Sequence, residues 1–235
     1  MGFQFDFLFF LYEIKVGVGF IPIVLLLSLL PLLVGMAIGS VIAIIRLFRV
    51  PFLAPLLAGI VVFLRGVPLL LQLSVLYLLT NIVFDKLHIG GLSAKDVSYT
   101  GVAVLGLSIY ATVYLSEVIR TALQSVGRGQ YEAAFSIGMT KRQMIRRILL
   151  PQALPVALPL LGSNLIGLIK NSSVASLISV VELLNGTQFE ASGNYKFLEA
   201  YLASALLYWV LCFLVERGIA YLETRSMHYE KGELS

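Results

Sequence analysis

Charge is scarce in this sequence. Only 13% of its 235 residues are Asp, Glu, Lys or Arg, while 59% are hydrophobic. A water-soluble domain carries about a quarter charged residues, so lipid is the solvent this composition suits. The single cysteine, Cys212, lies inside an apolar run and excludes an internal disulfide or a cysteine metal cage. Histidine is nearly absent too. His88 and His228 stand alone, no His-Glu-x-x-His run exists, and both read as loop residues rather than catalysts or metal ligands. No Gly-x-x-x-x-Gly-Lys-Ser/Thr phosphate loop occurs, so the chain is not itself an ATP-hydrolysing motor. Met1 to Tyr12 is aromatic, carries Asp6 and lacks a basic n-region, so a cleaved signal peptide is not expected.

Long apolar runs are abundant. A membrane-crossing helix needs roughly 20 mostly apolar residues. Five stretches qualify: Ile21–Ile45, Leu53–Leu79, Tyr99–Ile119, Ala153–Val181 and Leu198–Tyr221. The second is interrupted by Arg65, Gly66 and Pro68. Phe3–Val18, punctuated by Asp6, Glu13 and Lys15, suits an interfacial helix better than a span. One set of boundaries carries Arg46, Arg49, Arg120, Arg128, Lys141, Arg142, Arg146, Arg147, Arg217, Arg225 and Lys231. The other set has only Lys15, Lys86, Lys95 and Lys196. Positive charge remains cytoplasmic, which sets the N-terminus outside and the C-terminus inside. The net charge of +4 follows this topology and does not suggest nucleic acid. The fold class expected is an all-α integral membrane protein: residues 1–20 interfacial, 21–226 transmembrane with a cytoplasmic loop at 121–151, and 227–235 a frayed cytoplasmic tail.

The polar island from Thr121 to Leu150 reads as two short helices. The first runs near Gln130–Ile137 and stops at Gly138, the residue best suited to a left-handed closing conformation. The second starts at Thr140, with Gln143 completing a capping box, and runs to Pro151. Ala133 and Ala134 add little bulk, so a partner can approach the helix closely, with Tyr131, Phe135 and Met139 as apolar anchors. Glu132 is expected in the first turn, where a carboxylate favours the positive end of the helix dipole. Arg146 and Arg147 read as headgroup anchors. Glu117 is expected to pair with Arg120 or Thr121 and to be structural.

Ionisable residues at membrane depth are functional candidates by default. Arg65 precedes a helix break at Gly66 and Pro68, and Gln72 offers a side-chain partner one turn beyond Pro68. Lys170 lies roughly 25 Å along the fourth span, either snorkelling to the outer headgroups or facing a pathway. An amino acid carries a carboxylate and an ammonium together. Arg65 or Lys170 suits the first; Gln72, Asn171, Ser172, Ser173 or Glu182 suits the second.

Glu132-Ala133-Ala134, three residues, Gly138, nine residues, Ile148, one residue and Leu150-Pro151 resembles the loop of ABC importer permeases at every fixed position. Phe63–Gln72, Ser125–Ala134, Leu150–Leu154 and Leu168–Ser173 resemble the polar amino-acid uptake branch. The resemblance spans nearly the whole chain and implies a type I ABC importer permease fold, not an enzyme. The chain would form half of a pore, as a homodimer or beside a sister permease. An ABC ATPase dimer would hold ATP and Mg and seat the loop helix, and an outer solute-binding protein would deliver the substrate. The resemblance further implies a bacterial cytoplasmic membrane location. No cofactor or metal is expected on this chain. Relatives usually have Asp after this Lys; Asn171 here removes that counter-ion and leaves Lys170 free for a carboxylate or for Glu182. Phe197–Trp209 is similar to permeases for cystine and related sulfur amino acids, with glutamine, glutamate and basic amino acids still open. An ion-gradient-driven secondary transporter is the alternative, against which five unmatched spans argue.

Overall fold

Apolar runs without water-facing alternation can satisfy their backbone only as helices in lipid, and helices are what form. The computed structural model describes residues 5–87 and 97–232, so His88 and Lys95 lie outside it. Ten α-helices are present among the described residues: α1 Phe7–Val18, α2 Ile21–Leu47, α3 Leu53–Gly66, α4 Leu69–Leu87, α5 Tyr99–Ser125, α6 Arg128–Ser136, α7 Lys141–Met144, α8 Leu150–Asn171, α9 Leu183–Ser192 and α10 Phe197–Gly232. Five segments are long and apolar enough to span a bilayer: Ile21–Leu47, Leu69–Lys86, Tyr99–Ser125, Lys141–Ile178 and Phe197–Thr224.

Two boundaries differ from expectation. The run Leu53–Leu79 is not one span but two helices, because Val67 is extended (ψ 127°) and Pro68 cannot donate a hydrogen bond to continue α3. The apolarity of the segment is continuous; the break is conformational. The other difference is at the C-terminus. The α10 backbone stays helical to Gly232, past Met227, where the polar composition suggested fraying.

The molecule is built on α2 and α5, whose closeness is due to small residues. A Cβ added to Gly35 would lie 2.8 Å from Ala111 Cβ, and one on Gly39 would lie 3.0 Å from Ser116 N. Gly35 and Gly39 are one turn apart, the small-xxx-small arrangement that lets helix backbones meet in lipid. Near the C-terminal ends of α2 and α5 Glu117 accepts from Arg46 Nη1 at 2.5 Å and Arg120 Nη2 at 2.8 Å, so its partners are two arginines, one on each helix. Leu27, Leu107, Leu115, Leu168 and Ile178 fill the space between α2, α5 and α8. At the opposite end Asp6 caps α1 and pairs with Lys196 at 2.6 Å, fastening α1 to the start of α10. The Lys196 ammonium holds the Asp6 carboxyl below the usual carboxylate range.

Candidate functional site

The polar loop is folded rather than draped. Gly127, not Gln130, opens its first helix, so α6 begins at Arg128. Glu132 is therefore in the second turn and the dipole argument for it does not hold. Gly138 has φ 73° and closes the helix as expected, with Gly138 N–H donating to Phe135 O and Met139 N–H to Ala134 O, both at 3.0 Å. The capping box is present: Gln143 N–H donates to Thr140 Oγ1 at 3.3 Å and Thr140 N–H to Gln143 Oε1 at 2.9 Å.

The residues expected to receive a partner divide between two faces of the loop, one of which packs inward. Ala134 is 1% exposed and packs in a cluster with Leu123, Met144, Leu149 and Ala153. Met139 packs on the same cluster. Tyr131 does too, and its hydroxyl donates to Leu123 O at 2.7 Å. These three weld α6 to α5 and α8. What is left outward is Glu132, Ala133 and Phe135, together with Ile137, which is 72% exposed and was not singled out from the sequence. An isoleucine beside a helix-closing glycine, on a loop in water, was the available signal.

The loop then runs into the fourth apolar segment without leaving helical conformation. Residues Lys141–Ile178 form one continuous helical segment. Within it, Ile145–Leu149 is wound as a π-helix and Leu150 N–H donates to Ile145 O. That wider turn immediately precedes Pro151, which lies inside the continuous helical segment and has no N–H to donate to it.

Among the polar candidates within the spans, Gln72 holds the break together. Its Nε2 donates to Leu64 O at 2.7 Å and Val67 O at 2.8 Å, two carbonyls the interrupted helix leaves without partners. Its Oε1 is buried with no hydrogen-bond partner among the described residues. Gly66 ends α3 with open space around it. Arg65 lies over the Tyr114 ring at 5.5 Å, Tyr114 packs on Tyr110 with centroids 4.4 Å apart, and Tyr110 lies beside Asn171. Two tyrosines one turn apart on α5 thus connect Arg65 to Asn171.

Two candidates, Glu182 and Ser172, are not available to a passing solute. Glu182 is fully buried, caps α9 by accepting from Leu184 N and Asn185 N at 2.8 and 3.0 Å, and accepts from the Tyr208 hydroxyl at 2.6 Å. It does not pair with Lys170. Ser172 is fully buried, donates to Ile169 O at 2.8 Å and lies 3.3 Å from Tyr208 Oη. Ser173 donates to Lys170 O at 2.8 Å, a local bond that opens the 3-10 turn at Ser172–Ile178. Lys170 is exposed and lines a cleft between α8 and α10 with Tyr208 and Cys212, near the middle of the Phe197–Thr224 span.

A multi-span helical bundle with one structured polar loop, helically continuous with a span, defines a class: a membrane permease worked from outside the bilayer. Comparison with known proteins narrows it. The chain belongs to the binding-protein-dependent transport system inner membrane component family, whose model matches residues 35–228. It is 39% identical over 194 residues to a probable amino-acid permease protein, YxeN, of Bacillus subtilis, covering 83% of this chain and 84% of that one. It is 33% identical to the L-cystine transport system permease protein TcyB of the same organism, over 86% of this chain and 83% of that one. A solved structure of an amino acid ABC transporter with histidines superposes with a TM-score of 0.79 at 27% identity, covering 95% of this chain and all of that one. The fold is that of a type I ABC importer permease.

Proposed function

We propose that this chain is the pore-forming subunit of an ATP-driven importer that carries a polar amino acid across the cytoplasmic membrane. Cystine and related sulfur amino acids are the first substrates to test. The observation that carries this reading is the loop Arg128–Met144: capped at both turns, outward-facing at Ala133, Phe135 and Ile137, and continuous with α8. Such a loop suits transmission of movement from a cytoplasmic partner into a span. That partner is an ABC ATPase dimer, which holds the ATP and Mg; this chain hydrolyses nothing. A second permease copy or a sister chain completes the pore, and a solute-binding protein docks on the outer face. The arginine and lysine distribution supports an outer N-terminus and a cytoplasmic C-terminus.

Within the pore, Arg65 and Asn171 remain the supported substrate-facing groups, linked through Tyr114 and Tyr110. Gln72, Ser172, Ser173 and Glu182 support the pathway from behind by fixing backbone and helix ends. The test is uptake of labelled L-cystine and L-glutamine into vesicles holding the permease with its ATPase and binding protein. Uptake that needs ATP and all components is the expected result. Uptake by this chain alone, driven by an ion gradient without ATP, overturns the reading.

A further inference from the structure

An acid is sealed into the contact between the first helix and the rest of the molecule. Glu13 is fully buried, and neither of its carboxyl oxygens has a hydrogen-bond partner among the described residues. It shares a face of α1 with Gly17, one turn further on, and that face packs into the corner between α9 and α10. A Cβ added to Gly17 would collide with Leu207 of α10 and lie 3.4 Å from Thr187 of α9. Ile14 packs in the same corner with Leu183 and Leu207. Packing that close keeps bulk water away from the carboxyl.

The charged groups around it do not offset a negative charge. Glu190 on α9 stands near enough to repel a second carboxylate. On α10, Glu199 is another acid and accepts from Asp6 N at 2.9 Å, while Lys196 is taken by Asp6 at 2.6 Å and lies over the Phe9 ring. Lys15 is exposed and, two residues along α1, points elsewhere. The Thr187 and Ser204 hydroxyls are 2.6 Å apart and bond each other. An ionised carboxylate is strongly disfavoured in such a corner, whereas the neutral acid is tolerated. Burial and the Glu190 charge accordingly raise the Glu13 pKa from 4.5 to about 7. The corner also braces the fourth span. That span ends in the 3-10 turn Ser172–Ile178, α9 follows, and a Cβ on Gly186 of α9 would run into the Phe20 ring at the joint between α1 and α2.

We propose that Glu13 is a proton-operated latch: α1 seats against α9 and α10 while Glu13 is protonated and lifts away when the proton leaves. The proton passes to water, and the carboxylate gains outside the corner the hydration it lacks within. Lifting removes the brace from α9, so transport slows as the medium on the N-terminal side turns alkaline. That this medium is the outer one rests on the importer reading above.

Infrared difference spectra of the permease–ATPase complex in nanodiscs, taken from about pH 5 to about pH 9, read the proton directly. A carboxylic C=O band that disappears with a midpoint of about 7 and is missing from Glu13→Gln is expected. Seating of α1 is read by spin labels at Leu8→Cys on α1 and Phe189→Cys on α9, both exposed, in a Cys212→Ser background. The seated-to-lifted ratio should fall about tenfold per pH unit between 4.5 and about 7. Glu13→Gln should stay seated throughout, and Glu13→Met, apolar and similar in length, should do the same. ATP-driven uptake by the wild type, divided by that of Glu13→Gln, removes any pH dependence of the binding protein and the ATPase. The quotient should drop about threefold or more from about pH 6 to about pH 8. A band that survives in Glu13→Gln, or a wild-type α1 still seated at about pH 9, overturns the latch. A midpoint that moves with sodium or potassium concentration makes the occupant a metal cation and overturns it too. A flat quotient while α1 moves removes the transport role. Loss of ATP dependence removes the importer reading and leaves the infrared and spin-label results to decide the latch.

Discussion

Ala133 and Ala134 are adjacent and chemically identical, yet the structure assigns them opposite fates. Ala134 is 1% exposed in the cluster around Met144 and Leu149, whereas Ala133 is exposed. Ala134→Leu forces three extra carbons into a filled space, a change that costs about 1–3 kcal/mol. That is enough to detach a nine-residue helix from α5 and α8. Ala133→Arg keeps a good helix former on a water-facing position, within about 0.5 kcal/mol of neutral for folding. In the docked state it instead puts a charge and a long side chain against the ATPase. Loss of a contact of hot-spot quality is about 2 kcal/mol, or roughly 30-fold in affinity. Two readouts separate the cases: titration of the solubilised permease with its purified ATPase, and trypsin cleavage at the loop's basic residues. Ala134→Leu should expose the loop to trypsin and lose the ATPase as a consequence. Ala133→Arg should lose the ATPase with the loop's native arginines and lysines as protected as in the wild type, cleavage after the introduced arginine being scored separately. Full ATPase affinity in Ala133→Arg would refute the assignment of that face, and a protected loop in Ala134→Leu would refute the packing argument.

Gly35→Ala should destabilise the α2–α5 pair by about 1–3 kcal/mol, because its Cβ would meet Ala111 at 2.8 Å, while Gly59→Ala, with open space around it, should be neutral or slightly stabilising; thermal unfolding in nanodiscs compares them. Gln72→Leu leaves Leu64 O and Val67 O without their donors and should cost about 1 kcal/mol per bond, with uptake falling as the α3–α4 junction loosens. Glu13, in the interfacial helix α1, is fully buried with neither oxygen partnered among the described residues, and burial with the nearby Glu190 charge raises its pKa from 4.5 to about 7. A raised carboxyl pKa means the folded state holds the proton more tightly, so stability should fall as pH rises from 4.5 towards about 7 and stay low above it. Glu13→Gln should remove that slope from the melting temperature; an unchanged slope would place the titrating group elsewhere.

The spans were legible because hydropathy and the lysine and arginine boundaries report on solvent directly, without reference to what packs on what. The Thr140–Gln143 box and the Gly138 turn were legible for a similar reason: both are local geometries in which sequence neighbours satisfy one another. The facing of α6 was not. A nine-residue helix has too few turns to display an unambiguous apolar stripe, and Ala134 is buried only because Met144 and Leu149 return to it from farther along the chain. Glu182 failed for another reason. Helix caps are dominated by Ser, Thr, Asp and Asn, so a capping glutamate with a tyrosine donor 26 residues away gives no local signal. The Gly35–Gly39 spacing and the Tyr110–Tyr114 pair were readable signatures that the sequence reading did not single out.

The geometry also says where motion can enter and where it cannot. A loop that merely connected two spans would need no capping box, no tyrosine bolted to Leu123 and no unbroken path into the bilayer. Here one helical segment runs from Lys141 past Lys170, roughly 45 Å at about 1.5 Å per residue, so a push on α6 is delivered at mid-membrane depth. The α2–α5 pair, closed by glycines against backbone and clamped by Arg46 and Glu117, cannot take up that displacement by sliding. The compliant points are the π-wound turn at Ile145–Leu149 and the α3–α4 break, held by one glutamine side chain. The first lies between the loop and Lys170, and the second lies beside Arg65. Conformational change driven from the loop should therefore alter the spacing of Lys170 and Arg65 while α2 and α5 stay fixed. Spin labels on α8 and α3, each measured against α5 with and without nucleotide on the ATPase, would show both distances changing. Equal displacement of α2 and α5 relative to each other would mean that the glycine contact is not the fixed frame.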